Sequence, residues 1–364
     1  MNQSDKNKII IVHDAFVVKG GAERLALYLS DIFPDAPIVT SIYNPTLTFP
    51  ELRQKNIISH NLSRFVKHEK IFKQLFPIWF IYFFRKKFEP YDVVISSSTY
   101  LAKFISPKYP TKHYCYMHSP FRFLWKRSSY SHESLPFNTP VMKIIDHLSP
   151  GLQKIDYKLT KRIDQLITNS QNMANFINEV YHEEAEIIHP PVDMKQYQIG
   201  EPSNFYLCVT RLLSYKRVDL AIKACNQLKR NLIIIGDGFE RQNLEKIAGH
   251  SITFLGKVDE ATLKKYYSIC KALIFPGIED FGMVPIEVQA SGRPVIAFKA
   301  GGVLETVINQ RTGILFDCQT PESLIDAIIE FEKNSFSSHE IRNNVQRFDL
   351  PAFEKKIKTL ILKS

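Results

Sequence analysis

Short β-branched and apolar runs alternate along the chain with segments whose apolar positions recur at helical spacing. In the first half "KIIIVH" (8–13), "YDVVISS" (91–97), "KHYCYMH" (112–118) and "DQLITNS" (164–170) read as strands. Each closes in small or polar residues, where a helix can begin. The second half repeats the design with "NFYLCVT" (204–210), "NLIIIGDG" (231–238), "SITFLG" (251–256), "KALIFP" (271–276), "RPVIAF" (293–298) and "TGILF" (312–316). Between them lie amphipathic segments such as "VDLAIKACNQL" (218–228) and "ESLIDAIIEFEKN" (322–334). This alternation predicts an α/β protein with parallel sheets covered by helices. Ligands in such sheets gather beyond the carboxyl ends of the strands, so chemistry is sought there.

The chain has 364 residues, which suits two domains of roughly 150–200 residues each. No short repeat marks a solenoid. "HPPVDMKQYQIGEPSN" (189–204) carries three prolines, a glycine and few apolar residues, and reads as the linker. The expected division is 1–195, 196–345 and a closing helix over 346–364 that packs back on one of the two domains, the N-terminal one being a candidate. Two doubly wound, Rossmann-like domains joined in this way would face each other across a cleft.

Composition narrows the classes. The hydrophobic share of 45% and charged share of 23% are those of a soluble globular protein. The five cysteines, Cys115, Cys208, Cys225, Cys270 and Cys318, form no CxxC pair and no zinc spacing. They read as free thiols of a reducing compartment, and the expected location is cytoplasmic. The N-terminal "MNQSDKNKIIIVHDAF" leads into a first strand and not a secretory signal. The most apolar stretch, "LFPIWFIYFF" (75–84), is too short for a bilayer span of about 20 residues.

The stretch "FPGIEDFGMVPIEVQASGRPVIAF" (275–298) places Glu279 on the loop before a helix and Glu287 within that helix's first turn, with Pro285 at or near its first position. A helix start favours a carboxylate electrostatically, which by itself accounts for Glu287. Glu279 precedes the helix, and a carboxylate there is matched to the vicinal hydroxyls of a sugar. In "VTRLLSYKRVDLAI" (209–222), Arg211 and Lys216 share a loop after a strand and would neutralise a diphosphate, although both are also ordinary loop residues. Gly20 and Gly21 lie between strand one and a helix opening around Ala22, where backbone amides can approach an anion or simply turn tightly. They do not make the GxGxxG dinucleotide fingerprint. "IIIGDGFE" (233–240) is a similar glycine turn. His118 ends a strand before a proline-containing loop, as either a structural residue or one that hydrogen-bonds a reacting sugar.

Taken together these motifs resemble the family 4 retaining glycosyltransferases of the GT-B fold. The resemblance rests on "EDFGMVPIEVQASGRPVIAFKAGGVLETVINQRTGILF", "GGAER", "TRLLSYKRVDLAI", "ITNSQNMANFI" and "IIHPPVD", and it extends over nearly the whole chain. "MHSPFRFLW" and the segment from His13 to Pro45 are similar to bacterial O-antigen mannosyltransferases. The resemblance implies that Glu279, with the backbone amides of Phe281, Gly282 and Met283, holds hydroxyls of a donor sugar. It gives Glu287 the nucleotide ribose, Arg211 and Lys216 the diphosphate, and Gly20 and Gly21 the same phosphates from the other domain. His118 matches the family's sugar-side histidine, while Ser119 departs from the acidic neighbour that many members carry. Residues 254–263 would lie near the base. Retention of anomeric configuration is implied, with no metal and no other cofactor; consistently, the sequence holds no DxD pair.

A net charge of +10 calls for an anionic partner. Residues 64–87, "RFVKHEKIFKQLFPIWFIYFFRKK", set seven Lys/Arg against one acid among many aromatics. They read either as helices with solvated lysines or as a surface for anionic lipid at the inner face of the cytoplasmic membrane. The second reading suits an acceptor saccharide on a polyprenyl diphosphate. Nucleic acid is not expected, since no nucleic-acid fold pattern accompanies the charge. The expected donor is GDP-mannose, with GDP-deoxyhexoses and UDP-sugars as alternatives. Two rivals stay open: a nucleotide-sugar epimerase of the same architecture, and a non-catalytic sugar-nucleotide or lipid-binding module.

Overall fold

The computed structural model describes residues 7–65, 75–86, 91–126 and 139–362. The basic segment singled out above therefore lies partly outside the described residues, at 66–74 and 87. The chain forms two compact units, one of Met1–His189 with Glu354–Ser364 and one of Pro190–Phe353. The helix Leu350–Leu362 contributes its residues from Glu354 onward to the first unit.

The first unit is built on a seven-stranded parallel sheet of β1 (Ile9–His13), β2 (Ile38–Thr40), β3 (Ile57–Ser59), β4 (Val93–Ser98), β5 (Lys112–Met117), β6 (Gln165–Thr168) and β7 (Glu186–Ile187). Its spatial order is β3-β2-β1-β4-β5-β6-β7. β2, β3 and β7 have only two or three residues and no alternation long enough to read in sequence. β1 pairs with β2 on one side and β4 on the other, so the order of winding reverses between β1 and β4.

The second unit carries β8 (Tyr206–Val209), β9 (Leu232–Ile235), β10 (Ile252–Gly256), β11 (Ala272–Phe275), β12 (Val295–Phe298) and β13 (Gly313–Phe316), in the order β10-β9-β8-β11-β12-β13. Alternate residues feed opposite cores. Ala272, Ile274 and Ile296 pack with the helices Val218–Leu228 and Pro321–Lys333. Leu273, Phe275, Val295 and Ala297 pack with the helix Met283–Ala290. A sheet buried on both faces explains why its strands read as continuous apolar runs. Here the reversal falls between β8 and β11. Loops that leave two strands at such a switch point diverge and open a crevice at their carboxyl ends.

One buried carboxylate organises the corresponding edge of the first sheet. Asp14, directly after β1, accepts hydrogen bonds from four backbone amides beyond β4: Thr99 (2.6 Å), Tyr100 (2.9 Å), Leu101 (2.7 Å) and Ala102 (2.7 Å). Charge-assisted bonds of this kind are stronger than neutral ones, and a methyl in their place leaves several buried donors unsatisfied. Asp14→Ala is expected to destabilise the first unit by about 3 kcal/mol or more. The measurement is the urea midpoint, and an unchanged midpoint would show that water replaces the carboxylate.

Candidate active site

The loop after β8 runs from Thr210 into a short turn at Ser214–Lys216. Arg211 on that loop is exposed, whereas Lys216 is buried. The loop after β11 carries Gly277 and Glu279. A Cβ on Gly277 would stand 2.9 Å from the Lys216 Cα and 2.9 Å from its carbonyl oxygen, so the two main chains touch only because that carbon is missing. Across this contact the Lys216 ammonium forms an ion pair and donates a short hydrogen bond to Glu279 Oε1. The two residues chosen from sequence for opposite charge chemistry are thus partners in the structure.

The glycines downstream have a related use. The Gly302 amide donates to the Glu279 carbonyl (2.9 Å). A Cβ on Gly302 would collide with the backbone of Phe281, and one on Gly301, at φ +71°, with the Glu279 carbonyl. Phe281 itself is buried, its ring edge-on to Phe348 at 5.7 Å between centroids. Only its main chain can serve a ligand. Gly282 then takes φ +87° as the residue before the helix Met283–Ala290, which has no side-chain cap. The first amides of that helix have no acceptor within it.

The helix position of Glu287 corrects the sequence expectation. The helix opens at Met283, so Pro285 is its third residue and Glu287 its fifth, beyond the first turn. Attraction to the helix start therefore does not account for Glu287. Its carboxylate instead accepts from the buried Tyr267 hydroxyl (2.9 Å). Burial, and then the Glu287 charge, push the Tyr267 hydroxyl well above its ordinary value, so it stays a donor. Tyr267 comes from the helix Glu260–Ile269, where a tyrosine in an amphipathic pattern gives no separate signal.

In the first unit the helix Gly21–Ile32 starts one residue earlier than expected, with Gly20 as its N-cap. Glu23 in its first turn brings Oε2 within 2.5 Å of where a Gly20 Cβ would sit, so a carboxylate already stands at this helix start. His118 directly follows β5. Its Nε2 lies 2.9 Å from the Ser97 hydroxyl, and that hydroxyl lies 3.2 Å from His13 Nδ1. His118 is further held by its amide on Ser98 O (2.9 Å) and by Asn169 Nδ2 on its carbonyl (3.0 Å). His13 and Ser97 were not singled out in sequence. The signal present was polar residues, "HD" and "SSS", where apolar strands end. The structure therefore groups Lys216, Glu279, the 281–283 turn and Glu287 in the second unit, with Arg211 nearby on the Lys216 loop. It holds Gly20, Gly21 and His118 in the first. Among the described residues no group of three His, Cys, Asp or Glu side chains is placed to hold a metal ion.

Residues 19–196 match the family model described as Glycosyltransferase Family 4, and residues 191–348 match that of Glycosyl transferases group 1. The chain belongs to the family 4 glycosyltransferases. The chain is 29% identical over 154 residues to a GDP-mannose-dependent alpha-(1-6)-phosphatidylinositol monomannoside mannosyltransferase of Mycobacterium tuberculosis, across 37% of this chain and 40% of that protein. It is 23% identical to an alpha-1,3/1,6-mannosyltransferase of Rhizomucor pusillus, across 68% of this chain and 65% of that one. The chain spans about half the length of two relatives from Methanocaldococcus jannaschii that it also matches. The crystal structure of Anabaena HepE in complex with UDP and glucose aligns over 99% of this chain and 100% of that chain, with a TM-score of 0.70 and 18% identity. That likeness shows the GT-B fold of two Rossmann-like domains.

The histidines of the first unit link this region to pH. Burial lowers His13, and lowers His113 to about 4; burial, and then the neighbouring His13, lower His118 to about 3. Each binds its proton less readily folded than unfolded, where the ordinary value is 6.5. The unfolded chain therefore takes up more protons in the window from about 3–4 to 6.5. Their contribution is fully present above pH 6.5 and is lost as pH falls through that window. Thermal unfolding between pH 4 and 8 should show the melting temperature falling below about pH 6.5. A smaller fall in His113→Gln checks the assignment.

Proposed function

We propose that the protein is a retaining hexosyltransferase that moves mannose from GDP-mannose to a lipid-linked saccharide acceptor. The observation that carries the reading is the Lys216–Glu279 pair beside the uncapped start of the helix Met283–Ala290, at the switch point of the second sheet. On this reading Lys216 and Arg211 take the diphosphate, and Glu279 with the amides at 281–283 takes the sugar hydroxyls. Glu287, oriented by Tyr267, takes the ribose. Gly20 and Gly21 bring amides to the phosphates, and His118 meets the transferred sugar. The ammonium and guanidinium stabilise charge on the departing diphosphate, which is where this chemistry needs most help. The reading includes no metal and no other cofactor. The choice of mannose is supported by the mycobacterial and fungal relatives, and that of GDP by the mycobacterial one.

Binding the donor would exchange the Lys216–Glu279 ion pair for contacts with the two ends of one ligand. GDP at about a hundred times its dissociation constant should stabilise the protein by about 2.7 kcal/mol, a shift of a few degrees at this size. Thermal unfolding with GDP, UDP and ADP in parallel reads this out. GDP alone should raise the midpoint, and Glu287→Ala should abolish the rise. A shift with UDP alone would overturn the GDP assignment, and no shift with any of the three would overturn the nucleotide site.

The acceptor reading includes attachment to an anionic membrane surface. The helix Phe76–Arg85 exposes Ile78, Ile81 and Phe84 beside Arg85, a combination suited to the headgroup level. No described helix is long and apolar enough to cross a membrane. Co-sedimentation with phosphatidylglycerol vesicles that weakens with salt is expected, and its absence would remove the membrane from the proposal.

A further inference from the structure

The Ser97 hydroxyl stands between two imidazoles on the carboxyl edge of the first sheet. His13 ends β1, Ser97 lies in β4, and His118 directly follows β5. β4 is the strand between the other two, so two of the side chains stand on adjacent strands and the third on the first residue after the next strand. His13 and Ser97 are buried.

The hydrogen-bond geometry points to one set of donors. His13 Nδ1 faces the Ser97 carbonyl oxygen at 3.1 Å as well as the Ser97 hydroxyl at 3.2 Å. A carbonyl only accepts, so Nδ1 of His13 carries a proton. Asp14 and the backbone of Ser97 and Ala15 favour protons on His13, while burial opposes a second one; Nδ1 is protonated in either state. The buried Ser97 hydroxyl, met by an N–H from His13, has His118 Nε2 at 2.9 Å as the one acceptor that the described residues offer its own proton. Nε2 of His118 therefore accepts. A neutral imidazole has one proton, which must then sit on Nδ1. No described residue hydrogen-bonds that nitrogen.

We propose that His13 acts through Ser97 as a positioning pair that locks His118 in its Nδ1–H tautomer, making it a fixed hydrogen-bond donor to an oxygen of the transferred sugar. This rests on the reading above that His118 meets the donor sugar. A donor in that place holds a sugar hydroxyl or ring oxygen and does not remove a proton. Burial, and then the adjacent His13, keep His118 neutral and so serve the same end.

The test separates the tautomer from the reading of the site. Long-range ¹H–¹⁵N spectra of the ¹⁵N-histidine-labelled full chain should show His118 with a protonated Nδ1 and a bare Nε2. Ser97→Ala should convert it to a mixture of tautomers and lower kcat about 5- to 10-fold, the worth of one hydrogen bond. Ser97→Thr, which keeps the hydroxyl, should restore both. The backbone amide spectrum shows that each variant is folded; if Ser97→Ala is not, the wild-type and Ser97→Thr spectra still decide. A wild-type His118 protonated at Nε2 overturns the inference. So does a wild-type tautomer that survives in Ser97→Ala. Full turnover in His118→Ala would instead overturn the role of His118 at the sugar and leave the tautomer result intact.

Discussion

Main chain packed directly on main chain, with hydrogen where other residues have a Cβ, is the contact on which the second unit's site depends. Gly277 lies on the backbone of Lys216, Gly302 on that of Phe281, and Gly301 on the Glu279 carbonyl. The same device recurs one strand over. Gly236, at φ +135°, lies on the Thr210 carbonyl and Gly238 on that of Leu212, which closes the loop of Arg211 from its other side. Without these approaches the Lys216 ammonium and the Glu279 carboxylate would be carried on loops too far apart to pair.

The first unit solves the same problem with charge. Its edge is held by the Asp14 carboxylate and its four amides, together with the Ser41 hydroxyl and amide on the Asp14 carbonyl. That arrangement pins the ends of β1, β2 and β4 together. The His13–Ser97–His118 line is set directly beside it. Deeper in the same unit, the buried Lys103 pairs with Asp156 at 2.7 Å, and Asp156 also accepts from Tyr181 and Trp125. Burial alone would lower Lys103, but Asp156 and Tyr181 outweigh it and hold it charged. Each buried charge here has several partners, which is the condition for keeping one.

The long strands and the helices at 218–228 and 321–333 were legible because period and length agree over enough residues. β2, β3 and β7 were not, being too short for a period to exist. The second unit's candidates were legible because their loops carry glycine, proline and charge between two apolar runs. Glu287 shows the limit of that reading: a shift of one or two residues in the helix start moves it out of the first turn and replaces a dipole argument with a hydrogen bond from Tyr267. Asp14 and Ser97 were missed for a related reason. An aspartate after a strand or a serine near its end is common; the four amides on Asp14 come from 85 to 88 residues away, and the imidazoles beside Ser97 from 84 and 21 residues away. Pairings at such distances are settled by strand order, which the local pattern does not contain.

The glycine contacts also divide the residues of the second site into two kinds. Those facing the neighbouring loop are bound to a single choice, since even one methyl there displaces backbone. Tyr215, Phe239, Ile278 and Leu304 stand on or beside the same loops and are exposed. Phe239 and Leu304 are the most exposed of them, whereas the Tyr215 ring centroid lies 4.9 Å from the Lys216 ammonium. The frame of this site is thus set by glycine and main chain, while the apolar side chains around it are set by neither.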